Sequence, residues 1–226
     1  MKKLIAMGLT VIMTAVAVCG CGSSDSGNDA KKSDSQTKQQ AVKVIDVDLT
    51  SEEYAFGVDK NKPELLTHVN DFIKEIKDNG TFDEICNKYF GGGNPTPVKS
   101  EKLDTSKDQL LVATNASFEP FEYMKGDSYY GIDMEIAAAL AKKLNKELVI
   151  QNMEFDSVCL SVGQHKSDVA MAGLTVKEDR KKYVNFSDTY YNAAQRLIVK
   201  GYSTEFDSCK DKAAIEKILK TKDKSV

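Results

Sequence analysis

Asp168-Val169-Ala170-Met171-Ala172-Gly173-Leu174-Thr175-Val176-Lys177-Glu178-Asp179-Arg180 reads as a short buried strand, a turn and the start of a helix. Val169 to Ala172 is an apolar run too short for a helix, and Gly173 lets a ligand come close to the backbone beyond the strand end. Thr175 and Glu178 make the T-x-x-E pattern of a capping box, which predicts a helix opening there with unpaired N–H groups and a positive dipole end. Arg180, less than two turns in, can swing back with a planar fork of donors that fits a carboxylate, a geometry lysine cannot copy. Together these parts predict a site for a small carboxylate. Each part alone has a blander origin, since most such patterns are only caps and most helix arginines point at water.

Around this stretch the chain alternates. Leu110-Leu111-Val112-Ala113-Thr114 is a buried strand ending at Asn115, and Phe118-Glu119-Pro120-Phe121-Glu122-Tyr123 is an aromatic loop pinned by proline. Asp127 and Gly131 bracket a turn before a helix from Ile132 to Leu144, where Ile132, Ile136, Leu140 and Leu144 recur every fourth residue. Leu148-Val149-Ile150 is the next strand, Phe155 to Gly163 a helix, and Gln195 to Val199 a further strand. Strand, helix, strand, helix, strand predicts an α/β fold with a mostly parallel sheet and helices on both faces. Ligands of such sheets sit beyond the carboxyl ends of the strands, where Asn115, Phe118 and Gly173 fall. Phe118 and Phe155 taken singly are more often core residues than ligand contacts.

Upstream, Val42 to Leu49 alternates like a strand, and Tyr54 to Val58 follows as a second. Pro63 opens a helix through Asp78 with Leu65, Leu66, Val69, Phe72, Ile73 and Ile76 on one face, and Gly80 closes it. Thr81 to Glu84 makes another capping box ahead of a short helix stopped by Gly91-Gly92-Gly93. Residues 92–108, proline-bearing and polar from Asn94 on, form a linker rather than a packed element.

The N-terminus has the build of a secretory signal over residues 1–20: Met1-Lys2-Lys3, then an apolar run from Leu4 to Val18. Val18-Cys19-Gly20-Cys21 looks like the lipobox of bacterial lipoproteins, with Cys21 the residue to be lipidated. Residues 21–42, mostly Ser, Asp, Lys and Gln, are a solvated tether. The formal net charge of −3 becomes −5 once Lys2 and Lys3 are subtracted, so no basic surface for nucleic acid is expected. Cys86, Cys159 and Cys209 remain beyond Cys21, an odd number that argues against a disulfide scaffold. His68 and His165 lie far apart without partners at ligand spacing, so no metal site and no cofactor are expected.

Leu110 to Lys200 resembles the N-terminal part of bacterial extracellular solute-binding proteins of family 3, receptors of ABC importers for polar amino acids, of the glutamine- and histidine-binding kind. The residues that carry this are Ala113-Thr114-Asn115-Ala116-Ser117-Phe118-Glu119-Pro120-Phe121-Glu122, Gly131-Ile132-Asp133-Met134-Glu135, Ala170-Met171-Ala172-Gly173-Leu174-Thr175, Glu178-Asp179-Arg180 and Val184-Asn185-Phe186-Ser187-Asp188. The resemblance implies a lobe of a type II periplasmic-binding-protein fold, with a five-stranded, mostly parallel sheet containing one antiparallel strand. It implies that Arg180 clamps a ligand α-carboxylate with help from the Thr175 hydroxyl. Backbone at Ala172 and Gly173 would line the α-amino side, and Phe118 and Phe155 would sandwich the side chain. Asn115 stands where glutamine-type members carry Asp.

Thr50 to Gly91 resembles the C-terminal end of the same family, yet here it comes first. The resemblance therefore implies a first lobe assembled in swapped order from residues 43–91 and 109–200, with residues 201–226 opening a second lobe. The expected partners are a polar amino acid, an ABC permease, the membrane through the lipid anchor at its extracellular face, and a separately encoded second lobe. A recombined or truncated remnant and a sensory module are the alternatives. A dehydratase-type enzyme is weaker, because no paired acid and base stands out.

Overall fold

The computed structural model describes residues 41–222. The signal segment, Cys21 and all but the end of the tether lie outside the described residues, as do residues 223–226. In chain order the elements are β1 (Val42–Val44), β2 (Glu52–Tyr54), β3 (Gly57–Asp59), α1 (Pro63–Asp78), α2 (Thr81–Phe90), β4 (Gln109–Thr114), β5 (Ser117–Phe118) and β6 (Glu122–Lys125). There follow β7 (Ser128–Tyr130), α3 (Ile132–Lys143), β8 (Glu147–Asn152), α4 (Phe155–Gly163), β9 (Val169–Ala170), β10 (Val184–Phe186), β11 (Tyr191–Ala193), β12 (Ile198–Lys200) and α5 (Lys212–Thr221).

The central sheet has five strands in the order β10-β3-β9-β4-β8. β4 runs parallel to β8 and β9, while β3 is antiparallel to both of its neighbours, β9 and β10. The single antiparallel strand thus comes from the segment before the linker and sits between two strands from after it. At this seam a Cβ on Gly57 would lie 2.9 Å from Val184 Cγ2, so β3 and β10 pack closely because that position carries no side chain.

Adjacent residues of a strand face opposite sides, and the two faces bury different helices. Val58, Val112 and Val169 point into the larger core with Val69, Phe72, Ile73 and Ile76 of α1 and Ile132, Met134, Ile136 and Leu140 of α3. Ala113 and Ala170 point the other way, against Val158, Cys159 and Val162 of α4. Burial pushes the Cys159 thiol up to about 11 and leaves it an apolar filler. A third, small cluster joins Ile45 and Val47 to Phe206 and Ile215 of α5, where β1 and β12 pair antiparallel.

Several local expectations change. Tyr54 to Val58 is not one strand: the chain switches partners, β2 pairing with β11 and β3 with β9 and β10. Val42 to Leu49 is regular only over β1. Beyond it the ladder continues in isolated bonds, Ile45 N–H to the Leu197 carbonyl and Leu49 N–H to that of Gln195, both at 2.8 Å. Gly80, in the left-handed region at φ 84°, precedes α2 in place of a side-chain cap, and Asn79 Oδ1 accepts from the Thr81 N–H at 3.0 Å. The linker has little regular structure, yet it is packed: Val98 is buried and its N–H donates to the Tyr129 carbonyl at 2.8 Å.

Candidate functional site

The parallel strands β4, β8 and β9 end at one rim, and the chain leaving each one carries the residues marked by the sequence. Asn115 and Phe118 follow β4, Phe155 opens α4 after β8, and Ala172, Gly173, Thr175 and Arg180 follow β9. All seven line one cavity of about 320 Å³, with Glu52, Tyr54, Ser117 and Glu122 completing its wall. A larger hollow of about 1040 Å³ adjoins it, sharing Glu52, Tyr54 and Phe118 and running along Tyr191 to Arg196.

No α-helix opens at Thr175, contrary to the T-x-x-E pattern. Thr175 forms an antiparallel bridge with Tyr54, the Val176 N–H donates to the Glu53 carbonyl at 3.0 Å, and only a single 3-10 turn, Arg180–Lys182, follows. A cap contributes about 1 kcal/mol, and here pairing with the edge of β2 prevails over it. Any attraction for an anion therefore rests on Arg180 itself rather than on a helix dipole. The Arg180 guanidinium is held on two sides: Nη1 donates to the Thr175 carbonyl at 2.9 Å, and Cζ lies 5.0 Å from the centre of the Phe155 ring. Phe155 thus supports the clamp as well as lining the cavity. Among the described residues, the other guanidinium nitrogens have no protein partner.

Gly173 sits at φ +51°, and a Cβ there would come within 3.1 Å of the Phe118 ring, so both conformation and space favour glycine. Its N–H donates at 2.9 Å to Oδ2 of the buried Asp133, whose Oδ1 accepts from the Tyr190 hydroxyl at 2.6 Å. The Phe118 ring stacks on Phe121 at 5.6 Å and stays 45% exposed, leaving an aromatic face at the cavity mouth. Asn115 is a brace: Nδ2 donates to the Met153 carbonyl at 2.8 Å and Oδ1 accepts from Ser117 Oγ at 2.6 Å, tying the ends of β4 and β8.

Glu52 and Glu122, which sequence reasoning did not mark, differ sharply. Glu52 accepts from Thr50 Oγ1 and Gln195 Nε2 on one oxygen, and from Tyr54 Oη and Thr175 Oγ1 on the other. Glu122 is 1% exposed, and its Oε2 has no hydrogen-bond partner. Burial first, and then the charge of Asp133, holds its carboxyl far above the usual carboxylate range. Tyr54 could have been flagged through its resemblance to the family's C-terminal end. The burial of Glu122, alternating with aromatics in a hairpin, leaves no periodic trace. Among the described residues, no group of three or more His, Cys, Asp or Glu could hold a metal ion.

The family model for bacterial extracellular solute-binding proteins, family 3, matches residues 10–92 and 110–225, and the chain belongs to that family. Over 108 residues it is 39% identical to the arginine-binding extracellular protein ArtP of Bacillus subtilis (strain 168), a match covering 48% of this chain and 42% of the relative. A crystal structure of a mutant of the arginine-bound domain 1 from TmArgBP is 31% identical, covers 50% of this chain and 91% of that one, and has a TM-score of 0.37. An ancestral cyclohexadienyl dehydratase is 33% identical over 37% of this chain and 35% of its own, with a TM-score of 0.36. The chain spans about two fifths of the length of its curated relatives.

Proposed function

We propose that the described lobe receives the α-carboxylate of a polar amino acid, as part of the extracellular binding component of an ABC importer. Arg180 takes the carboxylate with the Thr175 hydroxyl beside it, backbone at Ala172 and Gly173 faces the α-amino group, and Phe118 and Phe155 flank the side chain. The observation that carries this is the convergence of seven residues, from three separate crossover loops, on one cavity. The likeness to an arginine-binding extracellular protein of Bacillus subtilis supports an amino acid as ligand and binding rather than catalysis as the role. Attachment to the extracellular face of the membrane through Cys21, by way of a signal and tether in residues 1–42, is supported by the sequence pattern alone. A permease and a second lobe are the implied partners. In swapped order residues 43–91 and 109–200 make the first lobe, a reading supported by the place of β3 between β9 and β10.

Titration of the full chain with L-arginine, L-glutamine and L-histidine, followed by amide NMR shifts, tests this. At least one should shift residues around Gly173, and Arg180→Ala should weaken that binding about tenfold or more, as expected for loss of a charge-assisted donor. Binding that survives Arg180→Ala unchanged would overturn the assignment.

A further inference from the structure

We infer that Asp133 is a positioning residue: by holding the Gly173 N–H, it turns the Ala172 carbonyl oxygen into the cavity, where that oxygen accepts from the ligand α-amino group. This rests on the amino-acid-binding reading above and gives the physical reason why the wall at Ala172 and Gly173 takes an amine. A trans peptide is planar, and its N–H and C=O point in opposite directions. The Ala172–Gly173 bond is trans, and its N–H donates at 2.9 Å to Oδ2 of Asp133, which is fully buried in the first turn of α3 behind the cavity wall. The Ala172 carbonyl, on the opposite edge of that plane, therefore faces the cavity that both residues line. Among the described residues no backbone N–H donates to it.

The glycine makes a holder necessary. Glycine takes positive and negative φ about equally readily, so the peptide before Gly173 can turn over at little cost. Turned over, it would aim an N–H at the ligand ammonium, donor against donor. Asp133 fixes the sense of the peptide, and it does so from a rigid element. Ile132 and Met134 on either side of it are fully buried, and its own N–H donates to the Phe121 carbonyl at 3.0 Å. Its second oxygen, Oδ1, accepts from the Tyr190 hydroxyl at 2.6 Å, on the side away from the cavity-lining residues.

The test uses the full chain and two ligands: whichever of L-arginine, L-glutamine and L-histidine binds most tightly, and the same molecule without its α-amino group. In Asp133→Ala the amino acid should bind about tenfold more weakly, through loss of an aimed acceptor for its ammonium, while the deaminated analogue stays within about twofold. A residue that only supported the fold would weaken both alike. Asp133→Asn should bring binding back to within about threefold of the unsubstituted chain. Its amide oxygen can accept from the Gly173 N–H, and its amide nitrogen can donate to the Tyr190 hydroxyl, a group able to accept as well as donate. Amide exchange followed by NMR reads the peptide directly. The Gly173 N–H should be protected in the unsubstituted chain and in Asp133→Asn, and lose that protection in Asp133→Ala. Equal weakening of both ligands, unchanged affinity in Asp133→Ala, or an asparagine variant as weak as the alanine one would overturn the proposal and leave the amino-acid reading standing. Binding of none of the three amino acids overturns both. Should Asp133→Ala not fold, Gly173 exchange in the unsubstituted chain and in Asp133→Asn decides: protection in both supports the assignment, and exchange at the rate of an open loop in either overturns it.

Discussion

At the scale of single residues, the cavity holds a charge arrangement that costs the empty protein stability. A carboxyl whose folded pKa is raised binds more protons in the folded than in the unfolded state, so stability falls as pH rises from the ordinary glutamate value of 4.5 upward. The slope reaches at most about 1.4 kcal/mol per pH unit for one such group. Glu122→Gln has no proton to lose, so its urea-unfolding stability should be the flatter of the two. It should match the unsubstituted chain near pH 4 and exceed it at pH 8. A steeper fall in the variant would mean that Glu122 is ionised and paired in the empty site. Arg180 offers a companion prediction from geometry: Arg180→Lys should lose most of the binding lost in Arg180→Ala, because a point charge cannot fork to a carboxylate or stack on Phe155. Equal affinities of the lysine variant and the unsubstituted chain, compared by titration with the best ligand, would remove bidentate recognition from the account.

At the scale of elements, the seam between β3 and β10 is where the two sequence segments become one domain. Gly57→Ala would push a methyl into Val184 at 2.9 Å, and close packing makes such an intrusion cost about 1–3 kcal/mol. The urea midpoint should drop with an unchanged denaturant slope. An unshifted midpoint would show that β10 can retreat without loss. The elements of this seam also show what was readable beforehand. The helices through Phe72 and Ile136 declared themselves by apolar residues at helical spacing, and the strands through Val112 and Val149 by apolar runs too short for a helix. The place of β3 could not be read that way, since three residues buried on both sides carry no alternation. Thr175 misled for a related reason: a local cap pattern was overridden by Tyr54, a partner 121 positions away, and no local window contains that competitor. Likewise the convergence of Asn115, Phe155 and Gly173 followed from their positions after parallel strands, while Glu122 needed the hairpin register to come into view.

At the scale of the molecule, one lobe presents its cavity beside an open hollow, and that geometry limits affinity. The carboxylate clamp at Arg180 faces water, and an exposed ion pair is worth about 0–1 kcal/mol against several once both charges are desolvated. Val42 and Val44 on β1 and Ile198 on β12, two strands that pair at the edge of the small third cluster, are each more than half exposed. The lobe alone should therefore bind its amino acid weakly, at about millimolar dissociation constants, and lose affinity as salt rises. Joined to the second lobe of a complete family relative, it should gain about a hundredfold to a thousandfold and become less sensitive to salt, because closure excludes water from Arg180 and Glu122 alike. Calorimetry at two salt concentrations, with and without the added lobe, measures both quantities. Micromolar binding by the lobe alone would mean that its own walls desolvate the clamp, and closure would then have little left to add.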